Sequence, residues 1–218
     1  IFILSMNKQM LDIYTDYLIS SFSYTTATGL AHALAGAISH DKITRFLSKE
    51  DYDSKQLWKL VKPTMRKIES EDGVFIVDDT IEEKPYTDEN ELITWHFDHT
   101  FGRSVKGVNI LSLLYGNNGV ALPVAFQAIQ KTETYIDKKT GRERRKSVKT
   151  KNEYFQDMAK IAILENKIKC RWILADVWFS SNDNMEFIKF DLKKDFMMPI
   201  KTNRLVCKTV EEKKKGEF

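Results

Sequence analysis

Val74-Phe75-Ile76-Val77-Asp78-Asp79-Thr80 sets an unbroken apolar run directly against two aspartates. A short, wholly apolar run is the mark of a strand buried on both faces, because a half-exposed strand would alternate. Such a strand belongs in the middle of a sheet. Trp172-Ile173-Leu174-Ala175-Asp176 has the same form, an apolar run ending in an aspartate. Between and after these lie three more strand-like runs, at 107–115, 120–127 and 196–200. Gly116-Asn117-Asn118-Gly119 joins the first two of them as a hairpin turn in which Gly and Asn supply positive φ.

Two helices fall among the strands. Residues 152–166 place Phe155, Met158, Ala159 and Ala162 on one side, and Ser181 caps a helix carrying Met185, Ile188 and Leu192. Proline cannot donate to a sheet ladder, so Pro123 and Pro199 place the third and fifth strands at edges. A mixed five-stranded sheet in the order 3-2-1-4-5, numbered along the chain, satisfies every constraint. That order is the one of a ribonuclease-H-like α/β fold, although the edge argument alone allows others.

The residues before this sheet read as a small helical domain, which divides the chain at 1–70 and 71–218. Residues 6–20 carry Met6, Met10, Ile13, Tyr17 and Leu18 near a helical stripe. A small apolar segment at 25–36 follows, and Ser39-His40-Asp41 then caps a short helix. On that helix Ile43, Phe46 and Leu47 share one face, and Lys42, Arg45 and Lys49 share another. The pattern resembles a helix-turn-helix that contacts DNA through the basic face; a plain helical bundle with a solvated face fits it equally. A helical stretch at 54–70, with Leu57, Leu60, Val61, Met65 and Ile68, is interrupted or restarted at Pro63.

Composition sets the outer limits. Of 218 residues, 42% are hydrophobic and 30% charged, enough apolar material for a packed core and too much for wholesale disorder. No apolar run reaches the roughly 18 to 20 residues that span a bilayer, and no signal-peptide core is present, so a soluble cytoplasmic protein without membrane contact is expected. Cys170 and Cys207 are too few for a disulfide framework or a zinc ribbon. The chain opens on Ile1 and closes on a charged run, which reads as a piece of something longer. Charge is placed unevenly. Residues 131–151 hold nine basic and three acidic side chains around a Thr140-Gly141 turn, an expected exposed loop. A solubilising loop is one reading; phosphate-backbone contact through Arg142, Arg144, Arg145 and Lys146 is the sharper one.

The aspartates carry the chemistry. If the two buried strands lie side by side and parallel, Asp78 and Asp176 meet at the carboxyl ends of their strands, where α/β sheets bind ligands. Carboxylates brought together repel unless a cation sits between them. Mg²⁺ (or Mn²⁺) suits an all-oxygen site with room for phosphate, and a pair of such ions about 4 Å apart serves phosphodiester cleavage. Neighbouring strand residues point to opposite faces, so one of Asp78 and Asp79 aims at the site. Asp78 directly follows the buried run and is preferred, with Asp79 the alternate first acid.

At these residues the sequence resembles the transposases of bacterial insertion sequences, the DDE class with a ribonuclease-H-like catalytic domain. More narrowly it is similar to the branch whose third acid lies in a Tyr-x2-Arg-x3-Glu-x6-Lys motif. The resemblance rests on Phe75-Ile76-Val77-Asp78-Asp79-Thr80 and Trp172-Ile173-Leu174-Ala175-Asp176, continued by Val177-Trp178-Phe179-Ser180-Ser181 and Pro199-Ile200-Lys201-Thr202-Asn203-Arg204. The two acids stand 98 residues apart. The third-acid motif does not occur after Ile200. The resemblance therefore implies a fragment that ends before the third acid and lacks full activity.

For the complete enzyme it implies two metal ions on Asp78, Asp176 and the third acid, cleavage at the element's ends, and attack of the freed 3′-hydroxyl on target DNA. Lys201 and Arg204 would hold phosphates. Double-stranded DNA is the implied partner, bound by a homodimer near the nucleoid. Two rivals stay open: a ribonuclease-H-like nuclease without strand transfer, and a non-catalytic DNA-binding remnant. No phosphate-loop motif appears, so a nucleotide cofactor is not expected. Trp95-His96-Phe97-Asp98-His99 has too few spaced ligands for a transition metal and reads as a loop with alternating aromatic packing.

Overall fold

The computed structural model describes residues 2–22, 24–49, 52–99 and 101–216. The chain divides into two compact units, Ile1–Tyr52 and Asp53–Phe218. In the first, α1 (Phe2–Ser20), α2 (Ala27–Ala33) and α3 (His40–Leu47) pack around Met10, Leu30, Ile43 and Phe46. Thr26 caps α2 by accepting the Gly29 N–H, and Ser39 caps α3 by accepting that of Lys42. Lys42, Arg45 and Lys49 are exposed.

The second unit begins with α4 (Ser54–Ile68), started by a capping box between Asp53 and Gln56. This helix runs unbroken through Pro63, with Val61 and Met65 buried on either side of it. Met65 joins the core of the sheet, so α4 falls with the second unit, whereas the sequence reading divides the chain at 70.

The sheet is mixed and six-stranded, an arrangement compatible with a ribonuclease-H-like fold. Its centre is β1 (Val74–Glu83), flanked by β3 (Arg103–Asn117) and β7 (Trp172–Ala175). β1 pairs antiparallel with β3 from Val74↔Gly116 to Glu83↔Gly107, and parallel with β7 from Val74↔Trp172 to Val77↔Ala175. Beyond β7 lies β8 (Asp195–Met197), again parallel. On the far side, β3 is long enough to take two partners end to end, β2 (Thr94–Asp98) and β4 (Val120–Ala128). The link from β3 to β4 is Asn118-Gly119, with φ of 47° and 78°, the left-handed pair a two-residue hairpin needs.

Behind the sheet, α5 (Lys151–Lys160) and α6 (Asn182–Glu186) each run on into a π turn, at Ile161–Glu165 and Phe187–Asp191. A short helix, α7 (Val210–Lys215), follows β8. The core gathers Phe75, Val77, Leu111, Leu113, Phe155, Ile173, Phe179 and Ile188. Tyr115 joins them, edge-on to Phe75 at 5.4 Å, and its hydroxyl accepts the Ser70 N–H at 2.9 Å. Among the described residues no helix is long and apolar enough to cross a membrane.

Four expectations need correction. The sheet has a sixth strand, β2, where the sequence reads a loop: Thr94 and His96 point inward while Trp95 and Phe97 are exposed, the reverse of the usual polarity. β1 does not stop at its aspartates, because β3 keeps supplying ladder partners six residues past the last pair with β7. Pro199 lies beyond β8 and outside any ladder, so it is not what holds that strand at the edge. Pro123 does sit in edge strand β4, beside a register shift at Leu113/Leu114. The basic stretch is no open loop. It forms a hairpin of β5 (Glu133–Ile136) and β6 (Glu143–Lys146), with Glu133 directly opposite Lys146.

Candidate active site

Parallel pairing of β1 with β7 sets Val77 beside Ala175, so the next residues along, Asp78 and Asp176, leave the shared register together. Both line a cavity of about 610 Å³ whose wall also includes Asp79, Asp98, Lys151 and Trp178. Asp78 sits mid-strand opposite Ser112 and is exposed; its Oδ1 accepts the Asp79 backbone N–H at 2.9 Å. Asp79 is more buried and already engaged. Its Oδ2 accepts from Asn109 Nδ2 at 2.7 Å and from Lys151 Nζ at 2.5 Å.

Asp176 lies one residue past the end of β7. Its Oδ1 accepts the Trp178 N–H at 2.9 Å, which folds the chain into a tight turn under the carboxylate. Burial raises its pKa above the usual aspartate value; the carboxylates of Asp79 and Asp78 add to the rise, against the bonds from the Trp178 and Phe179 N–H groups. Hard carboxylate oxygens that repel one another across a water-accessible cavity fit a divalent cation. Among the described residues no group of three His, Cys, Asp or Glu is placed to hold a metal ion, so Asp78 and Asp176 would share it with water and phosphate oxygens.

The site is braced from α5. Thr150 and Glu153 form a capping box that fixes the start of that helix. Asn152 Oδ1 then accepts from Asn184 Nδ2 at 3.0 Å, and the same amide nitrogen donates to the Phe179 carbonyl at 2.8 Å. Gln156 Nε2 donates to Asn184 Oδ1 at 2.9 Å. Asn184 is fully buried, so this network ties α5 and α6 to the turn that follows Asp176. At the rim, Trp178 stacks on His99 with centroids 3.9 Å apart, and Lys201 Nζ stands 4.4 Å from the indole centroid. Arg204 is exposed, one turn further on, its N–H bonded to the Lys201 carbonyl.

The remaining basic candidates are not among the residues that line this cavity. Lys42, Arg45 and Lys49 line a groove of about 510 Å³ within the first unit, with Met10 and Phe46 in its floor. In the β5–β6 hairpin Arg144 pairs with Asp137 at 3.0 Å, Arg145 with Glu89 at 3.8 Å and Lys146 with Glu133 at 3.1 Å. Arg142 makes no ion pair among the described residues. Exposed pairs of this kind hold little energy and can be exchanged for other anions. His96 is buried against Thr94 Oγ1 at 2.9 Å, and burial, with Lys131 and Lys151 nearby, lowers its pKa to about 4. Cys170 is buried, which pushes its thiol up to about 11.

Lys151, Asn152, Asn109 and Asn184 are brought to the site by the fold and are not singled out by the sequence. Lys151 has one local signal, its place at the first position of a helix behind a Thr150 cap. The others depend on which strands and helices become neighbours. Over residues 4–215 the chain matches the family described as DDE superfamily endonuclease. No curated protein matches it.

Proposed function

This chain belongs to the DDE superfamily of endonucleases, and we propose that it acts as an insertion-sequence transposase, cutting double-stranded DNA at the element's ends and joining the freed 3′-hydroxyl to a target. The observation that carries this reading is that Asp78 and Asp176 directly follow Val77 and Ala175, the last paired residues of two adjacent parallel strands, and open to one cavity. Superfamily members generally use divalent metal ions. Asp78 and Asp176 would hold Mg²⁺ or Mn²⁺, which when bound in pairs activates the attacking water and stabilises the leaving oxygen.

The protein's own groups prepare that site. The raised pKa of Asp176 comes first from burial and then from the nearby carboxylates of Asp79 and Asp78, a cost that a cation or a proton relieves. Asp79 is a brace here rather than a ligand, since its Oδ2 is taken by Asn109 and Lys151. Lys201, resting on Trp178, offers its charge to a phosphate at the rim. Lys42, Arg45 and Lys49 on one unit, with Arg142, Arg144, Arg145, Lys146 and Arg204 on the other, supply backbone contacts to DNA. The protein acts as a homodimer on DNA in the cytoplasm, at the nucleoid.

The test pairs metal binding with DNA cleavage. Mn²⁺ titrated by calorimetry should bind the wild-type chain more tightly than Asp78→Asn or Asp176→Asn. Nicking of a supercoiled plasmid, where the wild type shows it, should vanish in both variants. Cleavage without joining to a second duplex would favour a nuclease lacking strand transfer. DNA binding with Mn²⁺ affinity unaltered by both substitutions would reduce the chain to a binding protein.

A further inference from the structure

We propose that Lys151 is a phosphate-binding residue of this site: its ammonium, steadied by Asp79, takes a backbone phosphate oxygen of the DNA beside Asp78 and Asp176. The inference rests on the nucleic-acid reading above and assigns a contact within it.

The cavity poses an electrostatic problem. Asp78, Asp79, Asp98 and Asp176 all line it, and a phosphodiester entering such a space meets like charge on every side. Among the described residues lining it, Lys151 is the only lysine or arginine. Its side chain is 41% exposed, against 16% for its partner Asp79, so the ammonium stands toward the open space with the carboxylate behind it. An ammonium carries three N–H donors; Asp79 takes one, and the remaining two are available to an anion.

The brace behind the ammonium is elaborate for a surface ion pair. Asp79 Oδ2 also accepts from Asn109, which is fully buried on β3 and leaves its own Oδ1 with no partner among the described residues. A buried amide with an unpaired oxygen detracts from stability. What it produces is the orientation of Asp79, and through Asp79 the position of the Lys151 ammonium. The neighbouring Asn152 is tied to Asn184, so the helix end that carries Lys151 is fixed from two directions. A lysine placed in this way acts as a fixed point charge for phosphate.

The experiment measures binding of the full chain to a duplex of roughly 30 base pairs by fluorescence anisotropy, in EDTA, across a series of salt concentrations. Each phosphate contact contributes about 0.9 to the slope of log affinity against log salt. Lys151→Met should reduce that slope by about one and weaken binding alike on unrelated sequences. Lys151→Arg should keep the slope. Because Lys151→Met strands the Asp79 carboxylate, the double variant Asp79→Asn/Lys151→Met is measured as well; it should melt like the wild type and still lack one unit of slope. A double variant that melts normally and retains the full slope overturns the proposal while leaving the functional reading intact. A wild-type chain that binds no duplex overturns both.

Discussion

Asn109 lies behind Asp79 in the sheet and donates to its carboxylate at 2.7 Å, so one member of the Asp78-Asp79 pair is engaged inside the protein. Asp79→Ala leaves the buried Asn109 amide with neither end paired, which should cost about 1–3 kcal/mol in urea denaturation. Asp78 is exposed and, among the described residues, accepts only from the backbone beside it, so Asp78→Ala should stay within about 0.5 kcal/mol of wild type. Equal losses from the two would refute the division of labour between them.

Asp176 carries an electrostatic cost that a thermal melt can reveal. Its folded pKa is raised, so between the unfolded and folded values the native state binds more protons and stability falls as pH rises. Asp176→Asn keeps the acceptor for the Trp178 N–H and removes the charge. The variant should melt higher than wild type at pH 7, and the gain should fade as pH drops below the carboxylate range.

His96 has the opposite sign. Burial lowers its pKa to about 4 from the ordinary imidazole value of about 6.5, with Lys131 and Lys151 opposing its charge and Asp79 favouring it. The unfolded chain therefore binds the extra proton first. Stability is full above about pH 6.5 and falls progressively as pH drops toward 4, by a total on the order of 3 kcal/mol. His96→Gln should flatten that stretch of the stability–pH curve.

Asn184→Ala removes the bonds to Asn152, Gln156 and the Phe179 carbonyl at once. A loss of about 2–3 kcal/mol is expected from the stranded partners. Hydrogen exchange at the Trp178 and Phe179 amides should quicken more than at β1, a difference that mass spectrometry of short peptides resolves.

Much of the sheet is legible in the sequence because the apolar runs 74–77 and 172–175 need burial on both faces, which the interior of a sheet supplies. The Asn118-Gly119 hairpin is legible for the same kind of reason, a backbone conformation that few residues adopt. β2 is hidden because its inward positions hold Thr94 and His96, so the alternation that marks a strand points the wrong way. The β5–β6 hairpin is hidden because β6 is wholly charged, Glu143-Arg144-Arg145-Lys146, a run that looks the same in a solvated loop. At the site, Asp78 and Asp176 show themselves by following apolar runs. Lys151, Asn109 and Asn184 have no such marker, since their roles exist only once β3, α5 and α6 meet.

β1 extends six residues past its last pairing with β7, and Asp78 sits at the beginning of that overhang. One jaw of the site is thus a beam riveted along β3, while the other is a single turn beyond the end of a four-residue strand. Any change in the spacing between the two carboxylates must come from the Asp176 jaw. With Asp78 and Asp176 as the proposed metal ligands, the tolerance of the site for ions of different radius is set by the stiffness of one turn, and the Asn184 tether is the screw that adjusts it.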